Sequence, residues 1–343
     1  MIRVAAAAAA PLLRDLAMRD GSMRSDGDAS GIIGESPEVR AVREAVRRFG
    51  AAPFPVLIEG ESGAGKERVA RGVHEASARR AHPFHVVNCA ALPDDLVEAE
   101  LFGHARGAFT GAIAERVGAF EAAHRGSLFL DEVGELSPRA QAKVLRVVQD
   151  GEVRRLGENH ARTVDVRIIG ATNRDLETEV SAGRFRVDLF YRLAVLRVVV
   201  PPLRVRPADI APLACAFWQQ CAPPLGVRAR LGVPLLAALA RYHWPGNVRE
   251  LQNVIASLTV CAPRTGTVDV AALPVRLQAS PAVTLARARQ TAEASALRLA
   301  LERHRGVRVA AAAELGVTRQ GLAAMERRLR RAAEGGPTVE TGG

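Results

Sequence analysis

At 343 residues, with 48% apolar content and a formal charge of +10, the chain has material for a main domain and one or two small ones around substantial cores. No stretch approaches the roughly 20 apolar residues of a membrane span. Cys89, Cys215, Cys221 and Cys261 form no Cys-x-x-Cys pair and have no histidine ladder nearby, so neither a zinc site nor a disulfide framework is suggested, and a reducing cytoplasm is the expected setting.

The charge is unevenly spread. Between Ser280 and Arg331 stand 11 arginines against 4 glutamates, a net of +7. A basic end of this kind points toward nucleic acid, because cationic side chains displace counterions condensed on phosphates; a solvated helical face would carry the same composition. Arginine outnumbers lysine 45 to 2, and one of the two lysines is Lys66. Where lysine is avoided so strongly, a lysine inside a glycine-rich loop is expected to do something arginine cannot.

Residues 1–30 are low in complexity and read as a disordered leader; the alanine-rich run Val4 to Leu13 lacks a good signal-peptide cleavage site. From 31 to 204 short apolar runs alternate with helical patterns. Val56-Leu-Ile, Phe84-His-Val-Val, Ser127-Leu-Phe-Leu and Val166-Arg-Ile-Ile are predicted strands, each followed by a loop and a helix. That is the pattern of an α/β fold with a parallel sheet and ligands at the carboxyl ends of the strands. Pro201, Pro202 and Pro207 break it, and 205–264 reads as a small helical lid. A linker is expected over 265–283 and three helices over 284–331. The last two flank Gly316-Val317, the tight joint of an all-α helix-turn-helix, with Thr318 capping the final helix. Residues 332–343 are expected to form a mobile tail.

Gly60-Glu61-Ser62-Gly63-Ala64-Gly65-Lys66 follows a predicted strand and precedes a helical run. In that context the glycines let backbone N–H groups close around phosphates, the helix N-terminus favours negative charge, and Lys66 reaches the terminal phosphates. The generic pattern wants Ser or Thr next; Glu67 stands there instead. Downstream, Ser127-Leu-Phe-Leu ends in Asp131-Glu132. Asp131 suits a Mg²⁺ shell and Glu132 suits polarising an attacking water, while the plain alternative is a helix-capping acidic pair.

Between these motifs lies Glu100-Leu-Phe-Gly-His-Ala-Arg-Gly-Ala-Phe-Thr-Gly-Ala112. Together these segments resemble the AAA+ P-loop domain of sigma-54-dependent transcriptional activators, the bacterial enhancer-binding proteins, over the span from Ile33 to Arg331. That family's phosphate loop reads Gly-Glu-Ser-Gly-x-Gly-Lys-Glu, so Glu67 becomes a family mark, and ATP with Mg²⁺ is implied. In the family the second loop touches the sigma factor and moves with the nucleotide. The resemblance thus implies a sigma-54 contact through Gly107, Ala108, Phe109, Thr110, Gly111 and Ala112. On physical grounds Gly107 and Gly111 permit a tight turn, and Phe109 between them is an apolar tip that needs a partner; a buried structural turn is the alternative.

Further segments carry the resemblance singly. Asn88 resembles the asparagine that holds the catalytic glutamate, implying a pair with Glu132. Ala171-Thr172-Asn173 resembles the sensor I segment and places Thr172 and Asn173 near the terminal phosphate. Phe185 to Leu193 resembles the segment of the arginine fingers, implying that Arg186 and Arg192 act on a neighbouring subunit's ATP. Trp244 to Leu251 resembles sensor II, with Arg249 facing nucleotide. In Leu203 to Ile210 the family usually has acidic residues at Val205 and Pro207, a departure expected to touch lid packing or subunit contacts.

The C-terminal helices resemble a Fis-type helix-turn-helix. Thr318, Arg319, Gln320 and Arg327 then face DNA, with Arg319 and Gln320 suited to base edges and Arg328 to phosphates. A dimerisation hairpin is the alternative. The whole resemblance implies a cytoplasmic homo-oligomeric ring, a hexamer, that binds double-stranded upstream DNA. It would spend ATP hydrolysis on remodelling the closed complex of sigma-54 RNA polymerase holoenzyme. A regulator of the same fold that represses without productive hydrolysis is the other reading. Only about 30 residues precede the ATPase by this reading. Control is therefore expected from a regulatory protein in trans, from expression level, or from a domain outside this chain.

Overall fold

All four predicted strands form, and a fifth joins them: β1 (Val56–Glu59), β2 (Phe84–Asn88), β3 (Ser127–Asp131), β4 (Arg167–Thr172) and β5 (Leu196–Val199). They pair in parallel in the order β2-β3-β4-β1-β5. The sequence reading has no strand at β5, although the β-branched run Val198-Val199-Val200 before Pro201 carries the signal. The structure is a computed structural model and describes residues 31–108 and 114–278. Beyond these it describes 296–297, 299–301, 303–304, 307–318, 320–323 and 325. The expected leader and tail lie outside the described residues.

The central strands are apolar on both faces because helices cover both. Val56, Ile58, Phe129, Ile169 and Ala171 pack toward one core. There they meet α1 (Pro37–Ala51), through Val42 and Val46, and α2 (Lys66–Glu75), through Val69 and Val73. Leu57, Leu128, Leu130 and Ile168 point the other way. On that side lie α3 (Asp94–Phe102), α4 (Pro138–Asp150) and α5 (Val187–Leu193), through Leu101, Val144 and Leu189. This alternation is the two-residue period of a strand buried on both sides. Two of the helices start the same way: Ser36 caps α1 and Ser137 caps α4, each accepting a backbone N–H three residues on, with proline next in the chain.

Four strands end level with one another, which sets the site. Asn88 is opposite Asp131 across β2 and β3, and Glu59 is opposite Thr172 across β1 and β4. Between α3 and β3 the chain rises as a two-stranded antiparallel ribbon, Gly103–His104 against Arg116–Val117. The ribbon is tied sideways by Leu156, whose N–H donates to the Gly103 carbonyl at 2.9 Å and whose carbonyl accepts from Ala105 N–H at 2.9 Å.

The lid consists of α6 (Ile210–Cys221), α7 (Val233–Arg241) and α8 (Asn247–Cys261) around a core with Trp218 and Trp244. Each indole N–H is satisfied at 2.9 Å, Trp218 by the Ala229 carbonyl and Trp244 by that of Leu239. The linker expected over 265–283 differs in its first half. Thr267–Val268 pairs with Arg230–Leu231, and α9 (Val275–Gln278) follows. Val268, Leu273 and Leu277 enter the lid core at 1%, 3% and 0% exposure. Their spacing is too irregular to read as an amphipathic element, and only the lid core gives them a face to cover. Val205 and Pro207, the departures from the family pattern, are exposed.

The chain divides into two compact units at Gln278 and Ala279. In the second, Leu297, Ala300, Ala311, Ala312 and Leu322 share a small core around α10 (Arg308–Glu314). Gly316 takes the left-handed φ of +65° that the tight joint requires, and Thr318 caps the next turn through Gly321 N–H at 3.0 Å. Leu277→Ala tests whether α9 is structural. Its buried position predicts a loss of about 2–4 kcal/mol in urea unfolding, where a linker position would lose almost nothing.

Candidate nucleotide site

The phosphate loop is held from behind. Its carbonyls point at partners: Gly60 O accepts from Lys66 Nζ at 2.9 Å, Ser62 O from Asn247 Nδ2 at 3.1 Å and Ala64 O from Arg206 Nη2 at 2.9 Å. Gly63 O accepts the backbone N–H of Val248 at 2.9 Å and of Arg249 at 3.3 Å. Gly63 itself has φ +73°, and a Cβ there would lie 2.5 Å from the Gly246 carbonyl, so only glycine lets lid and loop close together. Helix α2 begins at Lys66, and its first amides have no acceptor inside the helix. They stand beside a cavity of about 400 Å³ lined by Ser62, Gly63, Lys66, Glu67, Asp131, Glu132 and Arg249, among others.

Glu61 faces the lid instead. Its carboxylate takes two bonds from Arg204, at 2.6 and 2.7 Å, and one from Asn247 at 3.1 Å. The Arg204 bonds first, then Asn247, hold its pKa down at about 2. The depressed value keeps this latch charged at every pH above it, and it is lost only as pH falls through about 2.

Lys66 and Glu132 are paired at 2.9 Å with side-chain exposures of 6% and 14%. The other oxygen of Glu132 accepts the Asn173 backbone N–H at 2.8 Å. Glu132 sits at φ +55°, ψ +50°, a left-handed conformation that costs a residue with a Cβ roughly 1–3 kcal/mol. That turn lifts its carboxylate off the end of β3 toward Lys66. Asp131 keeps the strand direction. Burial, then the neighbouring charge of Glu132, raise the Asp131 pKa, and Lys66 opposes them.

Other expected positions fall differently. Asn88 Nδ2 is 3.4 Å from Asp131 Oδ2, so the expected pair with Glu132 is not formed; the β2–β3 register puts Asn88 opposite Asp131, and Glu132 has turned away. Thr172 is buried and its Oγ1 accepts the Arg174 N–H at 3.0 Å, while Asn173 contributes its backbone to Glu132; neither lines the cavity. Arg249 Nη1 donates to Ser62 Oγ at 3.1 Å. Arg186 and Arg192 lie on α5 and its cap with exposed side chains, Arg186 paired with Asp188 at 2.7 Å. Gly107 has the left-handed φ of +81° that a tight turn needs, Ala108 follows it, and Phe109, Thr110, Gly111 and Ala112 lie outside the described residues. So do Arg319, Arg327 and Arg328, whereas Gln320 is helical and exposed.

A second cavity, of about 220 Å³, adjoins the loop and was not foreseen. Ile32, Ile33, Val42, Leu213 and Phe217 give it apolar walls, and Arg206, Gln220 and Gln252 give it polar ones. Burial lowers the pKa of Arg206, and its Nε, also buried, has no hydrogen-bond partner among the described residues. A largely apolar cavity with a buried unsatisfied donor on its wall residue Arg206, next to a phosphate loop, is chemically suited to a nucleotide base. Among the described residues no three His, Cys, Asp or Glu side chains form a metal cage. A divalent ion here would therefore need phosphate oxygens besides Asp131. Asp131→Asn removes a charge that the fold disfavours. It should raise the melting temperature by roughly 1–3 °C at neutral pH. The gain should shrink as pH falls through the raised Asp131 value, where the wild-type carboxyl sheds its charge too; thermal melts across that range check it.

Comparison with known proteins agrees with this geometry. The Sigma-54 interaction domain family matches residues 32–199, the AAA+ ATPase lid domain 204–290, and the Fis family of bacterial regulatory proteins 288–330. The Anaerobic nitric oxide reductase transcription regulator NorR of Escherichia coli (strain SMS-3-5 / SECEC) is 49% identical over 255 residues, 74% of this chain and 51% of that one. The chain thus spans about half the length of the curated relatives it matches. Among solved structures, NtrX from Brucella abortus in complex with ATP superposes with a TM-score of 0.67 at 33% identity, covering 87% of this chain and 69% of that one. Its complex with ADP gives 0.66 at 33% identity, covering 93% and 72%. With a parallel α/β P-loop domain, a helical lid and a Fis-type helix-turn-helix in one chain, the protein belongs to the sigma-54 activator family of AAA+ proteins.

Proposed function

We propose that the chain is an ATP-hydrolysing transcriptional activator that works in the cytoplasm as a homo-oligomeric ring, a hexamer, on sigma-54 RNA polymerase. The observation that carries this reading is the shared position of Lys66. Its ammonium is bonded to Gly60 O and to Glu132, beside a cavity faced by the first amides of α2. An ammonium has three protons, so one remains for a phosphate oxygen. The base slot takes the adenine of ATP, and its triphosphate lies along Ser62 to Glu67.

Each side chain then has a task. Phosphate oxygens compete with Glu132 for Lys66, and a released Glu132 orients the attacking water; its carbonyl and the Asn173 amide fix where it points. Asp131, together with the phosphates, would hold Mg²⁺, which would neutralise charge developing on the transferred group. Glu67, lining the same cavity, adds a carboxylate where most phosphate loops place a hydroxyl. Asn88 touches Asp131 and so reports on its charge. Thr172 shapes the turn that presents the Asn173 amide. Arg249 approaches from the lid, and Arg186 and Arg192 reach a neighbour's ATP from their exposed positions.

Output runs through Gly107 to Ala112, carried on the ribbon beside Leu156, toward sigma-54. Thr318, Arg319, Gln320, Arg327 and Arg328 bind double-stranded DNA upstream of the promoter, and a regulatory protein in trans sets the activity. Transcription from a sigma-54 promoter tests the whole. Lys66→Ala should lose about 10²-fold or more in ATP turnover, while Thr110→Ala keeps much of its turnover and loses open-complex formation. Turnover in the wild type without open complexes at any such promoter would point to a regulator that does not activate.

A further inference from the structure

Helix α4 carries a buried carboxamide whose hydrogen bonds are spent on the turn after Glu132 and on the segment that bears Arg186. Gln141 is 1% exposed. Its Nε2 donates to Leu136 O at 2.8 Å and to Arg184 O at 3.0 Å, and its Oε1 accepts the Arg186 N–H at 2.9 Å. Both amide protons and the oxygen are used, so the group has one geometry. On the near side, Leu136 ends the single 3₁₀ turn that starts from Glu132: Glu135 N–H donates to Glu132 O at 2.9 Å and Leu136 N–H to Val133 O at 3.2 Å. On the far side, Arg186 is the N-cap of α5, so the bond to its N–H fixes the point from which its side chain departs.

We propose that Gln141 is a positioning residue that couples the two ATP sites in which each subunit takes part. Through one carboxamide, the backbone height of Arg186 follows the turn that holds Glu132. A change at a subunit's own hydrolytic glutamate is thereby passed to the arginine it offers its neighbour. This rests on the reading of Arg186 as acting in trans, and the test separates the two.

Full chains with Gln141→Met, which matches the volume without the bonds, or Gln141→Leu, which removes them with a second neutral apolar side chain, are mixed with an excess of Glu132→Gln chains. Those partners lack turnover but retain Arg186 and Gln141. Alone, Gln141→Met should lose about 10-fold to 100-fold in kcat with KM for ATP nearly unchanged, since a displaced group costs rate before binding. In the mixture, turnover per Gln141→Met subunit should recover most of that loss, as Arg186→Ala chains do in parallel. Gln141→Leu should show the same loss and the same recovery, and it carries the comparison if Gln141→Met fails to fold. Recovery of Arg186→Ala without recovery of Gln141→Met places the defect in the subunit's own site and overturns the coupling role. So does an unchanged kcat. No recovery of Arg186→Ala rejects the trans reading of that arginine, and the coupling role falls with it.

Discussion

The structure depends on how the carbonyls of the phosphate loop are occupied. A loop can turn its N–H groups toward an anion only if its C=O groups have somewhere else to go, because a buried carbonyl without a partner costs about 1–3 kcal/mol. Here Asn247, Arg206 and the first amides of α8 take those of Ser62, Ala64 and Gly63 from the lid side, while Lys66 takes that of Gly60 and backbone N–H groups take those of Glu61 and Gly65 from within. The lid is thus the back wall of the phosphate site. Asn247 ties three segments together at zero exposure, with φ +52° and bonds to Glu61, to Ser62 and to the Leu203 N–H. Asp209, equally buried, ties the same lid to the residues before α1 through Glu35 N–H, Ser36 N–H and Ser36 Oγ, at 2.7, 2.8 and 2.6 Å.

The charges in the site follow from that arrangement. Two adjacent carboxylates at the end of a buried strand repel each other, and the chain separates them by spending left-handed backbone at Glu132. Lys66 then steadies one and Asn88 touches the other. Such strain is stable only where the surroundings over-determine it, and both Glu132 oxygens are engaged.

What could be read from sequence was what is local. Four strands and the Thr318 cap are each encoded within a few residues and form where the sequence places them, and the phosphate loop and the Asp131-Glu132 pair are equally local in the chain. The misses are contacts between distant segments. Gln141 looks like any polar residue on a helix until 43 to 45 residues later the chain returns to it. The second cavity needs Ile32 and Ile33 to meet Leu213 and Phe217 of the lid, and no periodicity announces that. The resemblance names a partner for Asn88 but not a register, and the register sets Asn88 opposite Asp131. Leu273 and Leu277 read as linker in the sequence because their burial is decided by a surface that the lid alone supplies.

Both tryptophans of the chain, Trp218 and Trp244, lie in the lid core. The α/β layer that carries the phosphate loop contains none. Intrinsic indole emission from this protein is therefore a local signal, confined to the element that grips the back of the phosphate loop. Trp244 stands two residues before Gly246, whose carbonyl limits Gly63, and three before Asn247. The chain carries its own optical gauge of loop and lid engagement, with no label to attach and no competing chromophore of the same kind elsewhere.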